Sequence, residues 1–150
     1  MKPLKVALCC IIVLHTLGCA YRAEMEFIDA CRDGNISKIK RMAARNPTLV
    51  NTVYTDPPFP DKLSVLHIAI ADEHKDVARF LILHGADTNV RNTTGDTPLH
   101  YAASWGNEEI VRLILKKGGD PTIKDDHGEM PEDWALQEKH YKIVKILAAK

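Results

Sequence analysis

The sequence predicts an all-α solenoid of about four stacked helix-turn-helix units, and the main evidence is an internal repeat of 33 residues. The segment LHIA at residues 66–69 recurs as LHYA at residues 99–102. Leu81 and Ile114 keep the same spacing further along each unit. A period of this length indicates small units that cannot bury their apolar faces alone and must therefore stack on one another.

The third unit shows why each repeat should form two helices. Thr97 can cap the first helix, and Pro98 suits its first turn because the missing N–H had no helical partner there. Gly106 can adopt a positive φ where that helix ends. Apolar residues then recur at helical spacing over residues 110–115 and predict a second, core-facing helix, which Gly118 ends.

The period extends in both directions from this unit. Adding 33 to Gly95 and Pro98 gives Gly128 and Pro131, which predicts a fourth unit. A weaker first unit lies upstream, and six additional residues lengthen its connection to the second unit. The predicted units cover about residues 24–52, 59–91, 92–124 and 125–150, within one domain over residues 21–150.

The segment TPLHYAASWGN at residues 97–107, with the helix that follows it, resembles the ankyrin repeat. The resemblance implies that the turns project as β-like fingers and that His67 and His100 form local hydrogen bonds near them. It also implies that a partner docks on the concave side, which the finger tips and the first helices form. Met130 stands where the family has a capping Thr, so we expect the fourth unit to fray more readily than the third.

Residues 1–20 have a different character and predict a secretory signal peptide. Lys2 and Lys5 precede a short apolar run, and the segment ends in Gly18-Cys19-Ala20, which suits cleavage after Ala20. The run is too short for a comfortable membrane span of about 20 residues, although an uncleaved anchor stays open. The end of the segment also resembles a bacterial lipoprotein signal, in which Cys19 would be lipidated.

Composition excludes several classes of function. The formal net charge is zero, and removal of residues 1–20 makes it about −2, so the totals show no basic footprint for nucleic acid or a membrane surface. Cleavage leaves Cys31 as the one thiol, which cannot form an intramolecular disulfide. No catalytic, cofactor or metal motif occurs, and the cluster of Asp120, Asp125 and Asp126 lacks the spacing of a calcium loop. We therefore expect a monomer that is not an enzyme and holds no cofactor or metal.

The resemblance places the candidate partner-binding residues on the concave side. They are Asp72, Asp96, Ser104, Trp105, Gln137 and Glu138. Trp105 is either an interface anchor or a packing residue against a neighbouring helix. The acidic character of this surface favours a partner with a basic patch. In the longer connection, Tyr54 and Phe59 are either further contacts or covers for the first unit's core.

These observations favour an exported, non-catalytic protein–protein interaction module, periplasmic or secreted, that binds its partner through the concave face. The resemblance extends to small exported ankyrin proteins of bacteria. The alternative is an accessory subunit of an envelope enzyme or complex, anchored through a lipidated Cys19.

Overall fold

The structure, a computed structural model, describes residues 20–55 and 62–149, and over these it consists of four consecutive helix pairs. In each pair an inner helix precedes an outer helix. The pairs are α1 (20–32) with α2 (Ile36–Arg45), α3 (Val65–Ala71) with α4 (Lys75–Leu83), α5 (Pro98–Trp105) with α6 (Glu108–Lys116), and α7 (Pro131–Gln137) with α8 (Tyr141–Ala148). The predicted signal peptide up to Cys19, and Phe59 in the longer connection, lie outside the described residues.

The helix pairs stack into a solenoid in which like helices are neighbours. Inner helices α3, α5 and α7 contact one another in order, and so do outer helices α2, α4, α6 and α8. Leu99 and Ile114, the predicted core residues of the third unit, are both fully buried. The all-α solenoid that the period predicts is therefore confirmed.

The connection between the first two units contains the strands of the described chain. A 3₁₀ helix (Pro47–Asn51) leads into β1 (Val53–Thr55), which pairs antiparallel with β2 (Lys62–Ser64). The backbone N–H of Lys62 donates to Thr93 Oγ1 at 2.7 Å, which ties this hairpin to the next turn. The described strands of this connection thus form a finger beside the stack.

The first helix of each later unit begins with the same reciprocal hydrogen bond. The backbone N–H of Thr97 donates to His100 Nδ1 at 3.0 Å, three residues into helix α5. In the fourth unit, the N–H of Met130 donates to Asp133 Oδ2 at 2.8 Å. Asp133 therefore takes the place that His100 has in the third unit, and the expectation that the fourth unit frays more readily stays a prediction.

The turn between the helices of a pair alternates between two solutions. Gly34-Asn35 and Gly106-Asn107 combine a left-handed glycine with an asparagine whose side chain caps the outer helix. The other two units use Glu73-His74 and Lys139-His140, where Glu73 and Lys139 also have positive φ, at 58° and 62°. In these two units a histidine replaces the asparagine, and its ring makes a different contact.

Each of these histidines reaches back to the preceding unit. His74 Nε2 lies 2.7 Å from the carbonyl of Arg32, and His140 Nε2 lies 2.9 Å from the carbonyl of Ser104. The His140 ring rests on Gly106, where an added Cβ would come within 2.6 Å of it. Glycine in one unit therefore makes room for the histidine of the next.

Two further observations concern Cys31 and membrane-spanning helices. Cys31 is fully buried, and burial raises the pKa of its thiol to about 12, so it is a packed residue and not a reactive one. No helix in the described part of the chain is long and apolar enough to cross a bilayer.

Candidate functional site

Buried histidines hold the fingers against the inner helices. His67 is fully buried and bonds through Nδ1 to Ser64 Oγ at 2.9 Å and through Nε2 to the carbonyl of Asp96 at 3.1 Å. His100 repeats the arrangement with Thr97 and the carbonyl of Glu129, the latter at 3.2 Å. Each ring joins the start of its own helix to the finger of the next unit, which extends the predicted local role across the unit boundary.

Burial sets the protonation of these rings. It lowers the pKa of His67 to about 4, and it also lowers the pKa of His100. A neutral imidazole keeps one nitrogen as an acceptor and the other as a donor. The first accepts from the backbone N–H at the helix start, so the second can donate to the carbonyl of the following finger.

The finger of the fourth unit is shaped by Asp125. Its Oδ1 accepts the backbone N–H groups of His127 and Glu129 at 2.8 and 2.9 Å, and its Oδ2 accepts Trp134 Nε1 at 3.1 Å. Burial alone would raise the pKa of this carboxyl, but the hydrogen bonds from Glu129, Trp134 and His127 bring the pKa below its usual range. Asp125 is therefore a turn-forming residue, and the amide oxygen of Asn92 has the same role one unit earlier.

An aromatic row lies behind the fingers. His67 meets Tyr101 edge to face with ring centroids 5.3 Å apart, and His100 meets Trp134 in the same way at 5.5 Å. The rings of Tyr101 and Trp134 are 5.9 Å apart. Edge-to-face pairs of this kind add stability beyond the area they bury, so the row stabilises the concave side.

One concavity of this face lies between the fourth finger and α7. It has a volume of about 390 Å³. Its lining consists of Ser104, Asp125, His127, Glu129, Trp134, Gln137 and Glu138. Gln137 Nε2 donates to Glu129 Oε1 at 2.8 Å across its wall. The acidic depression, as we call these seven residues, combines three carboxylates with the rings of His127 and Trp134.

The structure brings only part of the predicted set together. Ser104, Gln137 and Glu138 line the acidic depression, whereas Asp72 lies exposed at the end of α3. Trp105 is half-buried and packs against the apolar core, so it is less open than its position in the repeat suggested. Whether Trp105 also contacts a partner stays a prediction.

Asp96 has a different position from the one expected for a docking residue. It is only 5% exposed, and its Oδ2 accepts Asn92 Nδ2 at 2.8 Å and Thr94 Oγ1 at 2.7 Å. These bonds fix the third finger. We therefore treat Asp96 as part of the support for the face and leave it out of the surface proposed below.

Tyr54 is the described member of the aromatic pair expected in the longer connection. Its ring is half-buried, and the Arg32 guanidinium lies over it, 4.4 Å from the ring centroid. This cation–π contact links the hairpin to the end of α1. Within the described residues, Tyr54 thus packs against the first unit.

Sequence reasoning missed Trp134, which forms the floor of the acidic depression. A signal was present, since Trp134 lies 33 residues after Tyr101 and both are aromatic. Two aromatics in register indicate a position at which the ring packs under a finger. In the described part of the chain, no group of three or more His, Cys, Asp or Glu side chains is placed to hold a metal ion.

Stacked helix pairs, projecting fingers and a concave acidic face define a repeat solenoid of the protein-binding class. Residues 27–125 match the family described as "Ankyrin repeats (3 copies)". The chain belongs to the ankyrin-repeat family. Ankyrin repeats are generally non-catalytic interaction modules that bind protein partners.

Curated relatives resemble this chain over only part of their own length. The chain is 35% identical over 85 residues to the probable E3 ubiquitin-protein ligase XBOS33 of Oryza sativa subsp. japonica, covering 57% of this chain and 15% of that protein. It is 31% identical over 77 residues to protein phosphatase 1 regulatory subunit 27 of Mus musculus, covering 51% and 47%. The chain thus spans less than half the length of these relatives.

Proposed function

We propose that this protein is an exported, non-catalytic module that binds a partner protein through its concave face. The acidic depression is the centre of the contact, and a basic patch on the partner is the complementary surface. The observation that carries the proposal is the combination of Asp125, Glu129 and Glu138 around the Trp134 ring in one concavity.

Charge complementarity supports a basic partner. A lysine or arginine side chain entering the depression meets the carboxylates of Glu129 and Glu138 and the face of an aromatic ring. Carboxylates bind guanidinium groups through paired hydrogen bonds, and aromatic rings attract cations. Two of the three carboxylates lie on half-exposed or exposed residues, so they steer association and give it a salt dependence.

Trp105 and the hairpin extend the proposed surface. Asp72, Trp105 and Glu138 occupy equivalent positions at the ends of the inner helices, so stacking aligns them in one strip. Trp105→Ala should weaken partner binding by about 2 kcal/mol or more if the side chain is an anchor. Unchanged affinity with a lower melting temperature would assign Trp105 to packing alone. Tyr54 and Phe59 are secondary contacts in this proposal.

Export rests on the charge and apolar pattern of residues 1–20. The second candidate, an accessory subunit of an envelope complex anchored through Cys19, rests on the resemblance of the same segment to a lipoprotein signal. Intact-mass analysis separates the two forms. A mass beginning at Tyr21 supports the free module, and a diacylglycerol on Cys19 supports the anchored subunit. Met1 at the N-terminus of exported material would contradict cleavage.

A charge-matched pair of variants tests the binding face. Glu129→Lys with Glu138→Lys changes the acidic depression, and Glu24→Lys with Glu26→Lys makes the same change of charge on exposed positions of α1. After cross-linking in envelope extract, the wild type and the α1 variant should capture the same basic protein. Loss of that protein in the depression variant supports the proposal. Equal capture by all three would contradict it.

A further inference from the structure

We propose a second interaction surface: the outer face, formed by the exposed sides of α2, α4, α6 and α8, docks on an anionic lipid bilayer. The four outer helices carry ten Lys or Arg residues and three Asp or Glu residues. This surface is separate from the concave face and goes beyond the partner binding proposed above.

The formal net charge is zero, but acidic and basic side chains are concentrated on different sides of the solenoid. The inner helices and fingers, over residues 65–74, 84–107 and 117–140, carry eleven acidic and four basic side chains. The outer helices have the opposite excess, of about seven positive charges. The two sides of the solenoid therefore attract different partners, although the formal net charge of the chain is zero.

One repeat position supplies a continuous row of cations. Lys40, Arg79, Arg112 and Lys145 occupy equivalent places on the four outer helices, and all four are exposed. Because these helices are neighbours in the stack, the four side chains form a column across the face. Helices pack about 8–10 Å apart, so the column can meet several lipid headgroups at once.

Most of this column has no ion-pair partner among the described residues. Among the described residues, ion pairs of the outer face involve Lys75, Arg79 and Glu109, together with Lys142 and Glu108. Lys40, Arg112 and Lys145 have no carboxylate within ion-pair distance in that part of the chain. Three of the four column cations are thus available to an external anion.

Exposed apolar side chains on the same face favour a lipid interface over a nucleic acid. Leu83 on α4 is 48% exposed, and Tyr141 at the start of α8 is 60% exposed. Leu83 and Phe80 line a shallow groove of about 370 Å³ between α2 and α4, beside Lys40 and Arg79. Lipid headgroups accept the cations while the interface accepts Leu83 and the tyrosine ring, whereas a duplex offers no site for leucine.

Vesicle co-sedimentation tests the proposal with a charge-matched control. Lys40→Glu with Arg112→Glu alters the outer face, and Lys62→Glu with Lys124→Glu makes the same change of charge on exposed hairpin and finger positions. All variants are made in the full chain, so that the segment before residue 20 contributes equally to each. Circular dichroism melts confirm that both double variants fold.

The wild type should bind phosphatidylcholine vesicles containing phosphatidylglycerol, and it should bind them less as salt increases. The outer-face variant should bind these vesicles about tenfold less tightly or weaker still, and the control should change less than about twofold. Equal losses in both variants would show an effect of net charge alone and overturn the proposal. Equal binding to neutral vesicles, or binding to duplex DNA in place of lipid with the same dependence on Lys40 and Arg112, would also overturn it.

Leu83→Gln separates insertion from attraction between charges. It leaves the net charge unchanged and should reduce binding to anionic vesicles about threefold at high salt, where the charge contribution is screened. The concave variant, Glu129→Lys with Glu138→Lys, should retain vesicle binding. Loss of vesicle binding in the concave variant would place the lipid contact on the concave face and would contradict the proposal. This outcome does not depend on whether the partner proposal holds.

Discussion

His67 and His100 each join one unit to the next. Each ring is neutral and buried, and each bridges two units through its two nitrogens. Burial is the dominant influence and lowers the pKa of His67, while Asp96 raises this pKa and the neighbouring His100 lowers it further. Because the native state resists protonation, these histidines make the stability of the array depend on pH.

The first prediction concerns acid. Below pH about 6.5 an unfolded histidine takes up a proton, whereas His67 stays neutral until about pH 4. The contribution of His67 is therefore complete above pH 6.5 and is lost as the pH falls toward 4. Between pH 7 and pH 5 the free energy of unfolding of the wild type should fall by about 2 kcal/mol more than that of His67→Gln. Urea titrations at the two pH values measure the difference, and parallel losses would contradict it.

Glu73 is a second residue whose backbone decides its energetics. Its φ of 58° lies in the left-handed region, where residues other than glycine are disfavoured. Glu73→Gly should raise the free energy of unfolding by up to about 1 kcal/mol because it removes that strain. Asp72, with a φ of −86°, is the matched control. Asp72→Gly should lower stability in the same urea titrations, and equal effects at both positions would show that φ is not the cause.

At the scale of elements, the turn of one unit is coupled to the helix of the next through glycine and histidine. Gly106 and Gly118 both have positive φ, at 82° and 93°, but only the first is covered by a ring. An added Cβ at Gly106 would lie 2.6 Å from His140, whereas nothing lies within 4 Å at Gly118. The two glycines therefore share a backbone requirement and differ in packing.

This difference gives a direct test. Both Gly106→Ala and Gly118→Ala should cost about 1–2 kcal/mol for the left-handed backbone. Gly106→Ala should cost about 1–3 kcal/mol more because the His140 ring must move. Thermal unfolding of the two variants measures the excess, and adding His140→Ala to Gly106→Ala should reduce it. An equal cost at both glycines would show that the ring contact is unimportant.

Sequence reasoning predicted the helix pairs well because the 33-residue period identifies equivalent positions. It did not identify Asp133 as the acceptor for the backbone N–H of Met130, because this bond depends on a side chain three residues further on. It also placed Asp96 on the binding surface, since a repeat register shows which residues are equivalent but not which way a finger carboxylate turns. Trp134 could have been found from its register with Tyr101.

At the scale of the whole molecule, the stability of each unit depends on the units packed against it. Leu99 is fully buried in the third unit, between the second and fourth. Leu99→Ala should lower the free energy of unfolding by about 2–5 kcal/mol, as deletions of buried leucine do. Hydrogen exchange should show the greatest loss of protection in α5 and in the helices packed on it, α3 and α7. A loss below about 0.5 kcal/mol would be typical of a surface residue and would contradict the repeat register.

The separation of charge between the two faces is also a property of the whole molecule. Totals of twenty basic and twenty acidic residues predicted no basic surface. The helical fold nevertheless separates these residues, because a cationic position that includes Lys40 and Arg112 recurs on the outer helices, while Glu129 and Glu138 lie on the inner side. Composition therefore excluded a surface that only the arrangement of helices makes visible.

The central claim is that the concave acidic face binds a basic partner, and nuclear magnetic resonance tests it most directly. Isotopically labelled protein is titrated with a lysine-rich peptide. Chemical shift changes should be confined to the acidic depression, around Ser104, Glu129 and Glu138, and Glu129→Lys with Glu138→Lys should abolish them. Changes on the outer helices instead, or an unchanged response in the double variant, would contradict the account.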